Sequence, residues 1–483
     1  MMASQGKSAD VRGWRLNLAL AGLVLAVVVA ILPPPAGLPT AGQRILAVMV
    51  GAIALWVSEA VVPAVTGVLI MIALPLMGVL PFPKETAEFG SPTIALLAAV
   101  FFIGRAVQNS GLDRRLALTL VNWGKGRVSL AVLLMMATTF LFAFFVPSSM
   151  ARAALMAPIA AGLVEGMGLG RESNLGKALF IAIPLVTLIS SSGLLTGTTG
   201  MVYAAGVFEN TLGYHWNYLH WLVAFMPGSV LSVVLVWVAL LRLFPPEKAK
   251  PAGGSAGGAD YLAEQLAKLG PLSAIEKKTL LVLVALVAGW ATEGLHGVST
   301  SLVGVTAATL LLLPGVGVLK WKETVNRVDW GSIILFGTSL VLAKAMSESG
   351  AAKWIAETFT RVHSLGPVGA VLAVTALFAL LRVGLSNMTA VLALGLPVIF
   401  STAAAMHLNP LWLGMVGAVT CALGFFFPTQ SVSLMTSYGY GYFRVQDLVK
   451  AGLAATVIVA GVTLLMATQY WPLLGISPLG AGH

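Results

Sequence analysis

The chain has 483 residues, of which 58% are hydrophobic and 10% charged, and its mean hydropathy is +0.93. A soluble domain carries roughly 25% charged residues, so this composition excludes a soluble globular protein and indicates a polytopic membrane protein. The formal net charge of +10 is spread over short loops and helix ends, where lysine and arginine set membrane orientation rather than bind nucleic acid. The single cysteine, Cys421, excludes an internal disulfide.

Apolar stretches that could span a bilayer occur along the whole chain. A span needs about 20 apolar residues, and candidate spans begin near Leu16, Ile45, Ile94, Leu130, Leu179, Trp221, Leu280, Leu302, Ile333, Val368, Trp412 and Ala451. The alternating segments of a transmembrane β-barrel are not evident in the sequence, so we predict an all-α polytopic fold in the cell (inner) membrane. The stretch 16–33 lacks a clear signal-peptide cleavage site, and we predict that it is a retained first span.

Two polar interruptions break the apolar sequence of the first half. Residues 147–152 read PSSMAR, and residues 196–200 read TGTTG. Hydroxyl groups are costly in hydrocarbon unless they line a cavity or a binding site, and glycine and proline allow a membrane helix to unwind. We therefore predict a re-entrant hairpin with its tip near residue 148 and an unwound helix near 196–200.

One segment reads as a linker between two halves. Residues 245–276 begin PPEKAKPAGGSAGGADYLAEQLAKLGP and separate residues 1–244 from residues 277–483. Residues 253–257 match the nucleophile-elbow pattern G-x-S-x-G, but that motif needs a strand–turn–helix context and this sequence is of low complexity. The basic N-terminus and the linker are expected on the cytoplasmic face. The tail after Trp471 has no Lys, Arg, Asp or Glu, which favours the opposite face for the C-terminus.

The second half contains the same two kinds of interruption. Residues 384–389 read GLSNMT, and residues 428–433 read PTQSVS. They predict a second hairpin tip near residue 386 and a second unwound helix near 428–433. Paired breaks in matching halves are the usual sequence indication of a transporter's binding site, so we expect the twin tips to meet in space.

The two halves also resemble each other at a constant spacing. Pro158 recurs as Pro397, 239 residues later, and a glycine and a basic position before each tip recur at the same offset. This pattern predicts two repeats, which are inverted if each half holds an odd number of spans. Two registers stay open at the second tip: either Ser386 or, counting back from Pro397, Asn387 aligns with Ser148.

The four interruptions carry groups that suit a small multivalent anion. Unwound helices free N–H groups for an anion and carbonyls for a cation, and helix N-termini at the hairpin tips add partial positive charge. The predicted substrate-binding residues are Ser148, Ser149, Arg152, Thr198, Ser386, Asn387, Thr389 and Ser431. Arg152 would supply charge complementarity, since a guanidinium binds carboxylates in a bidentate way. Arg382, Arg105 and Lys344 are further intramembrane cations that could act there.

Several stretches resemble one known family across nearly the whole chain. Residues 56–60 (WVSEA), 111–118 (GLDRRLAL), 269–278 (LGPLSAIEKK) and the block at 440–452 are similar to signatures of the divalent anion:sodium symporters (DASS). Members of that family carry dicarboxylates, citrate or sulfate. The resemblance implies a homodimer in which each protomer has a scaffold and a mobile transport domain that works by an elevator motion. It also implies that sodium, as a coupling ion, would take oxygens of Ser148, Ser149, Gly197 and Asn387.

The chain departs from the family pattern where sodium would bind. The family has Ser-Asn-Thr at both tips, whereas residues 148–150 read SSM and residues 386–388 read SNM. The family's T-P-P-N at the unwound helices becomes TTGM at 198–201 and SVSL at 431–434. These replacements remove hydroxyl and carbonyl ligands, which argues against sodium coupling. Exchange, uniport or proton coupling through an acid such as Glu59 stay open.

The sequence therefore predicts a secondary transporter for small multivalent anions, foremost di- or tricarboxylates, with sulfate as a further candidate. A cation/proton antiporter on a related fold would need an intramembrane acid pair, which the polar interruptions lack. A membrane-embedded enzyme would need a nucleophile beside a base, and no histidine adjoins the candidate serines in sequence. The sequence holds no H-x-x-x-H metal spacing or P-loop, so no cofactor is expected.

Overall fold

The computed structural model describes residues 2–124, 128–247, 257–359 and 366–479. Residues 248–256 of the predicted linker, with most of its G-x-S-x-G match, lie outside the described residues. The α-helices of the first half and the linker are α1 (Met2–Ile31), α2 (Thr40–Ser58), α3 (Pro63–Leu76), α4 (Phe82–Glu88), α5 (Pro92–Ser110), α6 (Leu112–Asn122), α7 (Val128–Leu141), α8 (Ser149–Gly166), α9 (Asn174–Gly193), α10 (Thr199–Leu212), α11 (Tyr218–Leu243) and α12 (Gly257–Lys268).

The second half is also built from helices. Its α-helices are α13 (Ala274–Ala291), α14 (Glu293–His296), α15 (Thr300–Leu312), α16 (Trp321–Thr324), α17 (Trp330–Glu348), α18 (Ala351–Phe359), α19 (Gly366–Gly384), α20 (Met388–Ala405), α21 (Pro410–Thr420), α22 (Val432–Tyr438), α23 (Val445–Leu465) and α24 (Trp471–Leu473). Short 3-10 helices lie at Phe142–Phe144, Val325–Arg327 and Pro428–Gln430, and a π-helical turn lies at Met466–Tyr470. The described residues contain no β-strand, so the predicted all-α class is confirmed.

Nine helices of the described chain are long and apolar enough to cross a membrane. Eight of them coincide with predicted spans, and the ninth is α20. The stretches predicted near Leu130, Leu302 and Trp412 instead form apolar helices of only 10–17 residues, and the stretch near Leu280 forms α13, which is not among the nine. Two of these, α7 and α21, lead into a hairpin tip and a helix break, so each needs to cross only part of the bilayer.

The hairpin tips are formed by residues that start a helix well. Ser148 is the N-cap of α8, where its hydroxyl accepts a hydrogen bond from Ala151 N at 3.3 Å. Asn387 is the N-cap of α20, where its Oδ1 accepts from Thr389 N at 2.8 Å and from Ala390 N at 3.2 Å. Serine and asparagine are favoured caps because they satisfy N–H groups that have no partner within the helix.

The helices that follow the two tips also indicate which residue of the second tip aligns with Ser148, a question that the sequence left open. Both α8 and α20 have 18 residues. Their N-caps, Ser148 and Asn387, lie 239 residues apart, which is the spacing of the two helix prolines. The structure therefore aligns Asn387, rather than Ser386, with Ser148.

The helix breaks interrupt the two spans that follow the hairpins. α9 ends at Gly193 and α10 begins at Thr199, while α21 ends at Thr420 and α22 begins at Val432. A side chain at Gly197 would place its Cβ 2.4 Å from the carbonyl oxygen of Ser191. Only glycine allows the first break to fold back so closely on α9.

The packing of these elements crosses between the halves. α22, from the second half, packs against α8 of the first hairpin, and α10, from the first half, packs against α20 of the second hairpin. α9 lies in the interior with every residue from Ala178 to Gly193 buried. This cross-packing brings the two tips and the two breaks to a common centre.

Candidate functional site

Both hairpin tips and both helix breaks line one cavity of about 230 Å³, which we call the central cavity. The predicted residues that line it are Ser148, Ser149, Thr198, Ser386, Asn387 and Ser431. Residues that the sequence reasoning did not select line it as well, and these include Phe101, Leu188, Thr199, Asp329, Ser332, Met388 and Val432. The polar interruptions, far apart in sequence, thus meet at one place.

The two tips present helix N-termini to the central cavity. α8 and α20 begin directly after Ser148 and Asn387, and both cap residues are half-buried. Free N–H groups and the helix dipole favour negative charge at such positions. Two helix starts that point at one cavity therefore create an environment suited to an anion.

The first break adds the hydroxyl of Thr198, which has no hydrogen-bond partner in the described part of the chain. Thr198 is 6% exposed, lines the central cavity, and its Oγ1 has no hydrogen-bond partner among the described residues. A buried polar group without a partner is costly. Its position identifies Thr198 Oγ1 as a donor available to a bound molecule.

Thr389 lies behind the cavity wall rather than among the lining residues. It is 2% exposed, and its Oγ1 lies 3.2 Å from Thr199 Oγ1. This contact joins the second hairpin to the first broken helix. Direct binding of substrate by Thr389 stays a prediction.

The second break is held by its own serines. Ser431 Oγ lies 2.8 Å from Ser433 Oγ and accepts a hydrogen bond from Ser433 N at 3.3 Å. The Ser431 hydroxyl is therefore already engaged, in contrast to the Thr198 hydroxyl.

Arg152 is fully buried behind the first tip, where its guanidinium bonds to the first break. Its Nη1 donates to Ser190 Oγ at 2.8 Å. Its Nη2 lies 3.1 Å from the carbonyl oxygens of Thr187 and Gly197 and 3.2 Å from Ser191 Oγ. Contact between Arg152 and a substrate stays a prediction, because the structure shows the side chain turned toward the broken helix.

Arg382 is also fully buried, and it lines the central cavity from the second hairpin. Its Nη1 donates to the carbonyl oxygens of Leu385 at 2.9 Å and Ser386 at 2.6 Å. Its Nη2 donates to the carbonyl oxygen of Gln430 at 2.9 Å. A Cβ at Gly424 would lie 2.6 Å from this Nη2, so the guanidinium rests directly on the second break.

The other acids and cations considered in the sequence do not line the central cavity, although Glu59 contacts one residue that does. Lys344 pairs with Glu88 at 2.5 Å. Arg105 donates to the carbonyl oxygen of Arg327 at 2.8 Å. Glu59 pairs with Arg15 at 3.1 Å, and its Oε1 lies 3.5 Å from Ser386 Oγ.

A second cavity of about 520 Å³, which we call the vestibule, adjoins the central cavity and shares Pro147, Ser148 and Asp329 with it. Charged residues line it: Arg105, Asp113, Arg327 and Asp329. Asp113 follows the turn after α5, and burial raises the pKa of its carboxyl to about 6. The vestibule therefore places charged side chains beside the first tip.

Asp329 and Ser332 are the clearest polar residues that sequence reasoning missed. Asp329 is the N-cap of α17, and its Oδ1 accepts from Ser332 N at 3.0 Å. The signal in the sequence was an aspartate directly before an apolar run, which marks a helix start. Nothing in that signal indicates that the helix begins at a cavity.

The oxygens predicted for sodium are largely engaged by donors of the protein. The Gly197 carbonyl accepts from Arg152, Ser148 Oγ accepts from Ala151 N, and Asn387 Oδ1 accepts from two backbone N–H groups. Within the described ranges no group of three or more His, Cys, Asp and Glu residues could hold a metal ion.

Comparison with known proteins places the chain among anion transporters. The sodium:sulfate symporter transmembrane region matches residues 13–477. A membrane protein of Cupriavidus necator is 30% identical over 485 residues, which cover 96% of this chain and 93% of that protein. The sodium-dependent dicarboxylate transporter SdcS of Staphylococcus saprophyticus is 27% identical over 94% of this chain and 91% of its own length.

Two solved structures share the fold at low sequence identity. The YdaH transporter of Alcanivorax borkumensis aligns with a TM-score of 0.55 at 14% identity, over 83% of this chain and 89% of its own. MtrF of Neisseria gonorrhoeae aligns with a TM-score of 0.57 at 12% identity, over 98% of this chain and 97% of its own. Likeness at this level concerns the architecture alone, which is that of helical membrane transporters.

Proposed function

This chain belongs to the divalent anion:sodium symporter family, and we propose that it is a secondary carrier of small multivalent anions, foremost di- or tricarboxylates, with sulfate as a further candidate. It is a multi-pass membrane transporter and not an enzyme. The observation that supports the proposed substrate class most is the central cavity, where both tips and both breaks meet.

The substrate would bind between the two hairpin tips. The hydroxyls of Ser148, Ser149 and Ser386 and the amide of Asn387 would donate to its oxygens, together with N–H groups at the starts of α8 and α20. Thr198 supports this assignment, since its buried hydroxyl has no partner among the described residues. Two negatively charged ends of one anion could then contact the two tips at once.

The proposed transport mechanism is an elevator motion in a homodimer built from inverted repeats. The two hairpins, the two broken helices, α11 and α23 would move together, because these elements pack on one another. The repeats would be residues 1–244 and 277–483, joined by the linker 245–276. The basic N-terminus and linker would face the cytoplasm, with the C-terminus on the opposite face.

The coupling ion is the point at which the chain would differ from the relatives named as sodium-dependent. We propose that sodium coupling is weak or absent, and that exchange or proton coupling drives transport, since protein donors bond to oxygens of Ser148, Gly197 and Asn387, three of the four residues predicted for sodium. A cation/proton antiporter is the alternative. Asp329 is the one carboxylate among the described residues that line the central cavity, which speaks against an acid pair there.

Uptake into proteoliposomes tests the substrate class. The purified protein should carry labelled succinate, citrate or sulfate, and a variant with both Ser148→Ala and Asn387→Ala should lose that uptake. Thr463→Val is the matched control, since this buried threonine on α23 bonds within its own helix, to the carbonyl oxygen of Val459 at 2.7 Å. A folded protein that carries none of these anions, but exchanges protons for a monovalent cation, would contradict the proposal.

A further inference from the structure

One histidine is held between two carboxylates, away from the central cavity. His215 lies in the loop between α10 and α11, and each of its ring nitrogens faces an acid. Its Nδ1 lies 3.1 Å from Glu209 Oε1 on α10, and its Nε2 lies 3.7 Å from Glu293 Oε1 on α14. We call these three residues the histidine latch. They are not among the described residues that line the central cavity or the vestibule.

Only the doubly protonated ring of His215 suits both contacts. A neutral imidazole has one N–H and one lone pair, so it donates to one carboxylate while its lone pair faces the other. The charged imidazolium donates from both nitrogens and balances one of the two negative charges. Histidine is the side chain that ordinarily changes its charge between pH 5 and pH 8. The latch therefore has its full set of contacts only after a proton has bound.

Solvent reaches the histidine, whereas its partner on α14 is fixed in place. The side chain of His215 is 53% exposed, and that of Glu293 is 12% exposed. Glu293 Oε2 accepts a hydrogen bond from Thr300 Oγ1. The carbonyl oxygen of Thr300 in turn accepts from Trp290 Nε1 at 2.9 Å. A proton from the solution thus binds beside a carboxylate that cannot easily turn away.

The latch crosses the boundary along which the proposed elevator motion would occur. His215 and Glu209 belong to α10 and the loop that joins it to α11, and both helices are in the group that would move. Glu293 lies between α13 and α15, which pack on each other and on α5. The contact of His215 with Glu209 therefore stays within the mobile group, while its contact with Glu293 spans the boundary.

Neutral contacts cross the same boundary beside the latch. Tyr218, at the start of α11, donates from its backbone N to Thr300 Oγ1 at 3.3 Å. Its ring stacks on that of Trp290, with the ring centroids 4.4 Å apart. These contacts have no charge to gain or lose between pH 5 and pH 8. The histidine thus adds a pH-dependent part to an interface that is already packed.

The latch and the vestibule lie on opposite faces of the protein. α11 runs from the loop of His215 to the start of the linker, so this loop is one span away from the linker. Asp113 of the vestibule lies beside Arg115, whose guanidinium donates to the carbonyl oxygens of Leu269 and Gly270 at the end of the linker. The structure therefore combines a vestibule on the linker face with a latch closed on the other face.

The other titratable groups near the latch do not share its geometry. His296 on α14 has its Nε2 2.9 Å from the Gly289 carbonyl oxygen, and its Nδ1 accepts from Val298 N at 2.9 Å, so a neutral ring satisfies both contacts. His220 on α11 is exposed. Burial raises the pKa of Tyr214, which therefore stays neutral between pH 5 and pH 8. The sequence of α15 carries no charged residue, and the charged residues of α13 lie in its first turn, next to the linker.

We propose that the histidine latch is a regulatory proton-binding site, at which a proton on His215 holds the mobile helices in the state seen here. This inference rests on the proposed carrier function. A proton shifts an equilibrium only as far as it binds one state more tightly than the other, and here the tighter state is the one in which both carboxylates flank the ring. Acid therefore favours the state with the vestibule beside the central cavity and slows departure from it.

Exchange in proteoliposomes with the same pH on both sides tests the latch in the intact protein. Equal pH removes any proton gradient as a driving force. Labelled sulfate and labelled fumarate are the probes, since both stay dianions between pH 6 and pH 8. The Vmax of exchange should rise about two- to fivefold from pH 6 to pH 8, which is the size of effect that a partly exposed ion pair contributes.

Variants assign the pH dependence to the latch. His215→Gln cannot take up a proton, and it should exchange at the high-pH rate at both pH values. Glu293→Gln removes the partner across the boundary and should do the same, and the double variant should add nothing further. His296→Gln is the matched control, because it changes a neighbouring histidine whose contacts lie within its own segment. It should keep the pH dependence of the wild type.

The outcomes separate this inference from the carrier function. A Vmax that is independent of pH in the wild type, or higher in acid, would overturn the inference while the carrier function stands. So would a pH dependence that persists in folded His215→Gln or Glu293→Gln. If one of these variants does not fold, the other and the wild-type pH profile decide. Absence of exchange of either anion by the folded protein at any pH would overturn the carrier function itself.

Discussion

The first and second hairpins place a guanidinium on the adjacent helix break by different routes. Arg152 follows the first tip, on α8, and reaches back to the break that begins after α9. Arg382 precedes the second tip, on α19, and caps the carbonyls of that tip as well as the second break. At the repeat spacing of 239 residues, Arg152 corresponds to Val391 and Arg382 to Ala143. The same contact therefore arises from positions that are not equivalent.

The two breaks also differ in how tightly they are built. The first covers the few residues between Gly193 and Thr199 and leaves Thr198 Oγ1 without a hydrogen-bond partner among the residues that the structure describes. The second extends from Thr420 to Val432 and is bridged by Gln430, whose Nε2 donates to the Arg382 carbonyl at 3.0 Å. In the first break, Thr198 Oγ1 is therefore available to a ligand oxygen. The second break is held by hydrogen bonds of its own side chains, Gln430 and Ser431.

The largest expected effect comes from glycine substitutions that probe this difference. Gly197→Ala would force a Cβ to 2.4 Å from the Ser191 carbonyl oxygen, and backbone cannot move aside cheaply. Gly424→Ala would press on the end of the Arg382 side chain at 2.6 Å. We expect a loss of about 3 kcal/mol for Gly197→Ala and about 1 kcal/mol for Gly424→Ala.

Thermal unfolding of the purified variants, with succinate transport measured in parallel, checks this order. Gly424→Ala should lose transport more than stability, because it displaces a charge at the central cavity. Equal stability losses in the two variants would mean that the breaks are equally rigid.

Effects of intermediate size are expected when the hydroxyl group of Thr198 or that of Ser431 is removed. Thr198→Val removes no hydrogen bond between described residues, so stability should be retained. Succinate affinity should fall about tenfold or more, as for a hydrogen bond to a charged group. Ser431→Ala removes the bond from Ser433 N and should cost about 1 kcal/mol of stability, as a lost helix cap does.

Calorimetric titration with succinate and thermal unfolding separate these two expectations. Thr463→Val serves as the control for a buried threonine away from the cavity. Unchanged affinity in Thr198→Val would remove that hydroxyl from the binding site.

The smallest effect concerns Asp113 in the vestibule. Burial raises the pKa of its carboxyl from 3.8 to about 6, so the folded protein binds this proton more tightly than the unfolded chain. The contribution of Asp113 to the free energy of unfolding is then favourable below pH 4 and is lost as the pH rises through about 6. Neutral Asp113 also leaves the vestibule more positive.

Sulfate exchange between pH 5 and pH 8 measures the effect on transport, since sulfate stays a dianion there. Its KM should fall roughly twofold on the acid side, about what a partly exposed charge contributes. Asp113→Asn should remove that pH dependence and should be more stable than the wild type at pH 7. A pH dependence that persists in Asp113→Asn would have to arise elsewhere.

The sequence was sufficient to predict an all-α fold and to predict that the two hairpin tips lie close together in space. Costly hydroxyls within apolar sequence have few acceptable places, and Ser148 and Asn387 do line one cavity. The direction of a long side chain is not determined by spacing, so the contacts of Arg152 with α9 could not be anticipated. Asp329 was missed because its cavity-side position depends on the packing of α17 against distant elements.

The number of helices that cross the whole membrane could not be predicted from the sequence either. Hydropathy does not distinguish a complete span from a hairpin arm, and both α7 and α21 are apolar yet short. Helix caps resolved the register at the second tip, because a cap fixes one residue by its own hydrogen bonds. Local sequence thus indicates where breaks occur, and packing determines what they face.

A structure determined with succinate in sodium-free buffer is the most direct test. We predict density for the anion between the two helix starts, within hydrogen-bonding distance of Ser148, Asn387 and Thr198, with both guanidinium groups still bonded to the breaks. An anion located elsewhere, or bound at this place only after sodium is added, would contradict the account.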